Sequence, residues 1–405
     1  MEWIVKRSSE LYVSSSGLSK ASDQFGYGFP FLSYKDVFNN YYAPEKLNTL
    51  VNSTEKDRQK CSVKRGDVFL TRTSETTDEL GMSCVALKDY ENATFNGFTK
   101  RLRPLTEEIV PEYAAYFFRS FYFRAQCQAL ASLITRASLN DGMIRRFKIR
   151  FPKEKKCQEK IGKILLTYDS LIENNTKRIR LLEKMAENLY KEWFVRFRFP
   201  GHEKMEIVNG LPEGWIIKKI KDYGKIETGK TPSMQVSEYY GGKYLFIKTP
   251  DMHGGVFVCS TEETLSELGN KSQPKKLLPP NSIMVSCIGT AGIVALNAKE
   301  GHTNQQINSI IPSDMVNLQW LYFTCKELRA TIELFGATGA TMTNLSKGKF
   351  EKLKVLEPTI ALRSAFHNRV SSMFKLILKL ENENSLLARQ RDLLLPRLMS
   401  GKLKV

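Results

Sequence analysis

The pattern GxxxxGK[ST] is matched by Gly224–Thr231. In nucleotide-binding proteins the backbone amides of such a loop hold the phosphates, the lysine contacts the β and γ oxygens, and the threonine binds magnesium. A phosphate-binding loop follows a buried apolar strand, whereas residues 218–222 are mostly charged and Pro232 follows the pattern directly. A turn-rich loop is therefore favoured, and a P-loop nucleotide-binding enzyme that uses Gly224–Thr231 is the alternative.

Other patterns that carry catalysis or bind metals do not occur in the sequence. It has no GxSxG, HExxH or [DNS]PP[YFW] motif and no GxGxxG after a strand. The four histidines and seven cysteines form no CxxC or HxxxH pair. Scattered cysteines indicate free thiols in a reducing cytoplasm. We therefore expect no catalytic residues, no metal and no cofactor in this chain.

The charge balance favours a polyanionic partner. Lys and Arg number 61 against 43 Asp and Glu, a net charge of +18 over 405 residues. Such an excess makes nucleic acid the leading candidate. The N-terminus lacks the basic and apolar regions of a signal peptide, and no apolar run approaches the ~20 residues that span a membrane. We expect a cytoplasmic protein without a membrane partner.

Two groups of residues are candidates for DNA contacts. The amide-rich stretch Asn304–Asn308 has the side chains that read adenine. A matching stretch begins at Asn96, so we interpret it as a framework turn and expect target-specific contacts where the two stretches differ. Basic residues are better candidates for phosphate or guanine. They are Lys64, Arg65, Arg72, Lys100, Arg101, Arg103, Arg136, Arg145, Arg146, Lys230, Lys243, Lys248, Lys347 and Lys349.

The sequence contains an internal repeat. Trp3-Ile4-Val5-Lys6 recurs as Trp215-Ile216-Ile217-Lys218, 212 positions later. Segments 63–69, 96–104 and 146–149 match segments 215, 208 and 206 positions further on. Each copy mixes short strands with helices, and a long helix follows it. A repeat of this size predicts a molecule with two similar heads that bind two similar but non-identical targets.

The two long helices have apolar residues that alternate at three and four positions, as in the seam of a coiled coil. We expect the helices to pair, with polar seam residues fixing the register. At ~1.5 Å per residue the first seam measures roughly 48 Å, enough to hold two heads about one DNA turn of ~34 Å apart. The seam residues are Ile161, Leu165, Ile172, Asn175, Ile179, Leu182, Leu189 and Trp193, then Val370, Ile377, Leu380, Asn384, Leu387, Leu394 and Leu398.

Four segments resemble the specificity subunits of type I restriction-modification systems. They are Leu211–Trp215, Thr228–Ser233, Thr303–Gln306 and the ending Arg391–Gly401. The resemblance covers essentially the whole chain, including the order of head, helix, head and helix. The last segment, in its seam context, is the most specific of the four.

The resemblance implies an α/β (α+β) fold with two duplicated target recognition domains, at 1–152 and 201–358. Helical spacers, at 153–200 and 359–405, would pair as an antiparallel coiled coil. It also implies that each domain reads one half of a bipartite, asymmetric site on double-stranded DNA. The subunit itself would do no chemistry.

The partners implied by the resemblance carry the chemistry. Two modification subunits would dock on the helices and methylate adenine N6 with S-adenosylmethionine. Restriction subunits would add cleavage driven by ATP and Mg. One departure from the family concerns the first copy, which has no Leu-Pro-x-Gly segment before Trp3 and no Thr-Gly-Lys-Thr-Pro segment within Ser8–Lys20. We therefore expect a reshaped loop in the first head.

Overall fold

The structure is a computed structural model that describes residues 2–74, 76–77, 79–130, 132–133, 137–208, 210–336 and 344–405. The chain divides into two compact units. Unit 1 comprises Met1–Ser170 and Leu387–Val405, and unit 2 comprises Leu171–Leu386. Each unit includes part of both long helices. Because this division follows packing, the expected domain boundaries at 152, 200 and 358 stay a prediction.

Unit 1 is built on a four-stranded sheet of order β2-β9-β5-β7, a three-stranded sheet of order β4-β3-β8, a small sheet of order β10-β11-β6 and the ribbon β1-β12. The strands are β1 (Trp3–Arg7), β2 (Tyr12–Ser16), β3 (Phe25–Leu32), β4 (Thr49–Val51), β5 (Val68–Thr71), β6 (Thr73–Ser74), β7 (Ser83–Val85), β8 (Thr94–Phe95), β9 (Thr99–Pro104), β10 (Ser132–Leu133), β11 (Ala137–Ser138) and β12 (Lys148–Pro152).

Short helices cover the sheets of unit 1. Pro111 begins the helix that buries Tyr113 and Tyr116, because proline has no amide hydrogen to lose in a first turn. The short helices are α1 (Ser8–Leu11), α2 (Tyr34–Asn39), α3 (Glu55–Lys60), α4 (Pro111–Phe117), α5 (Phe121–Leu130) and α6 (Asp141–Arg146), with a 3-10 turn at Ser22–Gln24. The long helix α7 (Lys155–Tyr190) follows, and its residues from Leu171 on belong to unit 2.

Unit 2 has the same kinds of sheets: β16-β23-β20-β21-β18, β19-β17-β22 and two ribbons. The strands are β13 (Ile207–Val208), β14 (Leu211–Pro212), β15 (Ile216–Lys219), β16 (Gly224–Thr228), β17 (Tyr240–Ile247), β18 (Phe257–Val258), β19 (Thr264–Leu265), β20 (Ile283–Ser286), β21 (Val294–Asn297), β22 (Gly301–Thr303), β23 (Ile307–Pro312) and β24 (Lys354–Glu357).

The helices of unit 2 pack around a large core that includes Trp320, Phe323 and Phe350. The α-helices are α8 (Glu267–Lys271), α9 (Leu318–Glu327), α10 (Arg329–Gly336), α11 (Lys347–Glu351) and the long α12 (Ile360–Ser400), whose residues from Leu387 on belong to unit 1. A π-helical turn at Lys191–Val195 follows α7, and 3-10 turns lie at His202–Lys204, Ile220–Tyr223, Ser237–Tyr239, Thr249–His253, Pro274–Lys276 and Met315–Asn317.

The repeat found in the sequence extends to the pairing register of the strands. Corresponding strands pair through corresponding residues, at the offsets of 212, 215, 208 and 206 that the sequence has. The register is fixed because a slip of one residue would turn every buried side chain outward. The corresponding pairs are Ile4–Phe151 and Ile216–Glu357, Tyr12–Pro104 and Gly224–Pro312, Val68–Leu102 and Ile283–Ile310, Phe31–Thr94 and Phe246–His302.

Within unit 2 the two long helices run antiparallel. Near the end of α7, the ring of Trp193 lies 5.9 Å from that of Phe366, near the start of α12. At the other end of this pairing, the amide nitrogen of Asn384 donates to Thr176 Oγ1 at 3.4 Å. Glu381 of α12 also accepts hydrogen bonds from the backbone N–H groups of Val256 and Phe257. Burial raises the pKa of Glu381 to about 7.

Within unit 1 the helices pair antiparallel around a buried ion pair. Arg391 of α12 forms the ion pair with Asp169 of α7, and the hydroxyl of Tyr116 donates to the same carboxylate. The guanidinium of Arg391 also lies 4.8 Å from the ring centroid of Tyr41. Arg391, which interrupts the apolar seam in the sequence, thus has a partner on the opposite helix and joins both helices to the head.

The expected seam residues all lie in at least partly buried positions. Ile172, Leu182, Leu189, Asn384, Leu387 and Leu394 are half-buried. Ile161, Leu165, Asn175, Ile179, Trp193, Val370, Ile377, Leu380 and Leu398 are fully buried.

Removing the charge of Asp169 tests the ion pair. Asp169→Asn leaves Arg391 largely buried (side-chain exposure 15%) and without its buried counter-charge. We expect the free energy of unfolding of unit 1 to fall by about 3 kcal/mol. Urea denaturation of the full chain, monitored by hydrogen exchange at the amides of unit 1, measures this free energy.

The control is Asp392→Asn, which removes the other carboxylate that Arg391 contacts. Asp392 is 57% exposed, so we expect a change below about 0.5 kcal/mol. The double variant Asp169→Leu/Arg391→Met should recover most of the loss, because an apolar pair leaves no buried charge. Equal stability of Asp169→Asn and Asp392→Asn would contradict the assignment.

Candidate nucleic-acid interface

In unit 2, four loops meet at one edge of the large sheet. The end of β16 lies beside the start of β23, with Thr228 opposite Asn308. The end of β20 lies beside the same turn, since Cys287 N–H donates to the carbonyl of Gln306 at 2.8 Å. The N–H of Leu345, just before α11, donates to the carbonyl of Cys287 at 2.9 Å. We call residues 229–231, 287–292, 304–306 and 345–349 the loop edge of unit 2.

The closest approach within this edge occurs at Gly229. A Cβ atom at this position would lie 2.2 Å from the carbonyl oxygen of Asn304 and 2.3 Å from that of Thr303, so no other residue fits. The next residue, Lys230, donates its N–H to the Thr303 carbonyl at 2.9 Å. Thr231 Oγ1 then donates to Gln305 Oε1 at 2.7 Å.

This geometry shows that the structural premise of the P-loop alternative is wrong. The first five residues of the pattern, Gly224–Thr228, form strand β16 and pair with β23. A phosphate-binding loop needs free backbone amides at the start of a helix. Here the N–H of Lys230 is already bonded, Thr231 is bonded to Gln305, and the next helical residues form a 3-10 turn at Ser237–Tyr239.

Unit 1 has an equivalent loop edge, made of residues 17–20, 72–74, 96–98 and 138–141. A Cβ atom on Gly17 would lie 2.2 Å from the carbonyl oxygen of Asn96, as at Gly229. Leu139 N–H donates to the Arg72 carbonyl at 2.9 Å, as Leu345 does to Cys287. The expectation that Ser8–Lys20 is reshaped is therefore wrong for the backbone around Gly17. The side chains differ, since Leu18 replaces Lys230.

The asparagine of each amide-rich turn is a framework residue. Asn96 Oδ1 accepts a hydrogen bond from Phe98 N–H at 2.7 Å, and Asn304 Oδ1 accepts one from Gln306 N–H at 3.2 Å. The side-chain oxygens of both asparagines are thus used to close their own turns, which fits a framework role. The residues that follow each asparagine are the ones that differ between the units.

Three of the candidate cations are bound within the protein. Lys100 is 6% exposed and contacts Ser16 and Asp141. Arg101 is 7% exposed, donates to the Ser62 carbonyl at 2.7 Å, and has its pKa lowered by burial. Arg103 pairs with Asp67 at 2.6 Å. These residues stabilise unit 1, and we correct their assignment as DNA contacts.

The other candidates differ in position and pairing. Arg72, Lys230, Lys347 and Lys349 belong to the loop edges; Arg72 is half-buried and the three lysines are exposed. Arg145 and Arg146 are exposed at the end of α6, where Arg145 lies beside Ser8, Tyr12 and Leu105, at the opposite end of the sheet from Gly17. Lys64 and Arg65 precede β5 and so lie at the opposite end of its sheet, where Arg65 pairs with Glu112 at 2.7 Å. Lys243, Lys248 and Lys347 pair with Glu267, Glu263 and Glu351. Arg136 lies outside the described residues.

A family model described as the type I restriction modification DNA specificity domain matches residues 2–184 and 212–361. The chain belongs to this family. As a specificity subunit of a type I restriction-modification system, it recognises DNA sequence. The two matched segments correspond to the two copies of the repeat. The resemblance drawn from the short motifs is thereby confirmed.

Two relatives extend over nearly the whole chain. The specificity subunit of the type I restriction enzyme HindI of Haemophilus influenzae is 30% identical, over 92% of this chain and 94% of that protein. The MjaIX specificity subunit of Methanocaldococcus jannaschii is 26% identical, over 100% and 94%. The crystal structure of the type I S subunit from M. genitalium shares the fold, with a TM-score of 0.60 at 15% identity over 98% of this chain and 96% of that one.

Two further observations concern the described residues as a whole. None of their helices is both long enough and apolar enough to cross a membrane. Nor do any three His, Cys, Asp or Glu side chains among them come together as a metal site would require.

Gly17 and Phe98 are parts of the loop edge that were not predicted from the sequence. Gly17 lies 212 positions before Gly229, the same offset that relates Trp3 to Trp215. That offset could have identified it. Phe98 corresponds to Gln306 at the offset of 208, but a phenylalanine alone gives no signal of exposure.

Lys230→Ala tests whether the loop edge of unit 2 contacts DNA. Lys230 is exposed, so its removal should not affect folding. We expect weaker binding of the assembled complex to DNA of any sequence, with the slope of log K against log salt smaller by about one. Lys221→Ala, an exposed lysine on the turn before β16, is the control. Equal slopes for both variants would place the interface elsewhere.

Proposed function

We propose that this specificity subunit reads a bipartite, asymmetric site on double-stranded DNA, with one half read by the loop edge of each unit. The proposal rests on one observation: both units have a loop edge with the same backbone arrangement but with different side chains. A shared backbone supports a shared mode of docking. Different side chains support different half-sites.

The differences between the edges are chemical. Three positions differ: unit 1 has Leu18, Arg72 and Phe98, and unit 2 has Lys230, Cys287 and Gln306 at the corresponding positions. The cations of both edges would anchor phosphates, which fixes orientation but carries no sequence information. Side chains at the tips of the turns would contact base edges. The remaining basic candidates, among them Lys64, Lys243 and Lys248, would contribute to phosphate binding without selecting a sequence.

The long helices would carry the partner subunits. Apolar residues are exposed on them: Leu171, Leu181, Met185 and Leu386 in unit 2 and Leu393 in unit 1. Exposed apolar side chains on paired helices favour a protein partner. We assign these exposed apolar residues to contacts with two modification subunits, with restriction subunits completing the complex. The separation of the two half-sites would be set by these helices, as the length of the seam suggests.

The chemistry would belong to the partners. Under this proposal S-adenosylmethionine and adenine-N6 methylation belong to the modification subunits, ATP and Mg to the restriction subunits, and no cofactor or catalytic residue to this chain. The complex would act in the cytoplasm, where its DNA substrate lies and where the free cysteines stay reduced.

Co-expression with the modification subunits tests the proposal. We expect N6-methyladenine in a single split motif, two short specified blocks separated by a fixed number of unspecified bases. Sequencing that detects N6-methyladenine at base resolution across the host DNA measures this. A continuous motif would overturn the assignment of one half-site to each unit. No new methylation from a soluble, assembled complex would overturn the proposal.

A charged substitution tests the helix face. Leu181 and Met185 are 65% and 55% exposed and lie one turn apart on α7, hence on one face. We expect Leu181→Glu/Met185→Glu to fold but to bind the modification subunit at least about tenfold more weakly, since buried interface contacts carry most of the affinity. Leu334→Glu, at an equally exposed leucine (73%) on α10, is the control. Unchanged binding by the double variant would exclude this face.

A further inference from the structure

The tips of the two amide-rich turns are the clearest chemical difference between the loop edges. After the framework asparagine, unit 1 has Gly97 and Phe98, and unit 2 has Gln305 and Gln306. Phe98 is 60% exposed, whereas Gln306 is half-buried and contacts Thr249. A large apolar ring therefore faces solvent at the position where the duplicate has a polar, satisfied side chain.

The backbone that carries Phe98 is fixed from both sides. Asn96 Oδ1 accepts from Phe98 N–H at 2.7 Å, and the Asn96 carbonyl accepts from Thr99 Oγ1 at 2.7 Å. A Cβ atom on Gly97 would lie 2.1 Å from Ser19 Oγ, so the turn packs directly on the neighbouring loop. The ring is thus exposed on a rigid turn. A rigid, exposed apolar group is suited to contact a partner because little entropy is lost on binding.

The groups beside Phe98 are basic and polar. Its carbonyl accepts from the Arg72 N–H at 3.1 Å, and the Arg72 carbonyl accepts from Leu139 N–H at 2.9 Å. Asn140 then caps α6, its side chain accepting from Met143 N–H. Phe98 is therefore an apolar residue between Arg72 and a polar helix cap, at the edge that the proposed function assigns to DNA.

The chemistry of base edges restricts what such a ring can contact. In the major groove every base presents hydrogen-bond donors or acceptors, and the only apolar group is the C5-methyl of thymine. A phenyl ring placed against any other base edge would desolvate polar atoms without replacing their hydrogen bonds, which is unfavourable. Against thymine, the ring gains apolar contact with the methyl.

We infer that Phe98 is a specificity-determining residue of unit 1 that selects thymine in the first half-site by contact with its 5-methyl group. This rests on the proposed function, because it requires the loop edge of unit 1 to face DNA. Under this inference the turn of unit 1 recognises a base through an apolar contact, whereas the same turn of unit 2 has the amide side chains of Gln305 and Gln306.

Deoxyuridine substitution tests the contact directly, since uracil lacks only the methyl group. The complex with its modification subunits is titrated with duplexes of the target site in which each thymine of the first half-site is replaced singly by uracil. We expect one substitution to weaken binding about three- to fivefold, the effect of one buried methyl. Phe98→Ala should weaken binding to the thymine duplex by at least as much and be insensitive to that substitution.

Two variants serve as controls. Phe98→Leu keeps an apolar side chain and should retain part of the sensitivity to uracil. Phe121→Ala removes a ring that is 82% exposed on α5, outside the loop edge, and should behave as the unaltered chain does. Because Phe98 is exposed, none of these changes should affect folding.

The contrary outcomes are distinct. If Phe98→Ala weakens binding but no uracil substitution does, the ring acts by inserting between bases or by shape, and selection through the methyl is wrong. If Phe98→Ala binds as tightly as the unaltered chain, Phe98 is not a DNA contact. In both cases a split methylation motif would leave the proposed function intact, whereas absence of that motif would reject both.

Discussion

The loop edge of each unit depends on a main-chain contact that only glycine permits. At Gly17 and Gly229 the backbone approaches the carbonyl of an asparagine so closely that a Cβ atom would lie 2.2 Å away. This approach fastens the strand that enters the edge to the turn that precedes the next strand. The asparagine side chain then closes that turn. The side chains of Phe98 and Gln306 can differ because the asparagine oxygen binds only the backbone N–H of each.

The same separation of framework from variable residues holds for the cations. Three cations bind within unit 1: Lys100 binds Asp141, Arg101 binds the Ser62 carbonyl and Arg103 binds Asp67. These contacts fix the strands of unit 1. Cations that remain exposed, such as Arg145 and Lys230, can exchange solvent for phosphate at small cost. A basic protein of this kind therefore uses part of its charge for its own stability and part for its ligand.

The repeat, the long helices and the family were predictable because they are encoded in spacing and in short motifs. The offsets of 212, 208 and 206 residues also relate the strand registers of the two units, and Arg391 begins one of the family motifs. Its ion pair with Asp169 was not predicted, because the apolar seam passes from Leu165 to Ile172 without it. The P-loop pattern gave a wrong alternative because it specifies residue types and not backbone conformation. The same glycines and lysine occur here in a strand, β16, and in the close backbone contact at Gly229 that follows it. Burial of Lys100 and exposure of Phe98 both depend on packing between distant segments, which one sequence does not reveal.

Amide hydrogen exchange of the assembled complex, with and without its target duplex, tests most directly whether the two loop edges hold the DNA. We expect slower exchange at residues 17–20 and 96–98 of unit 1 and at 229–231 and 304–306 of unit 2. A duplex with only the first half-site intact should restrict the protection to unit 1. Protection confined to other surfaces of both units, with these turns unchanged, would contradict the account.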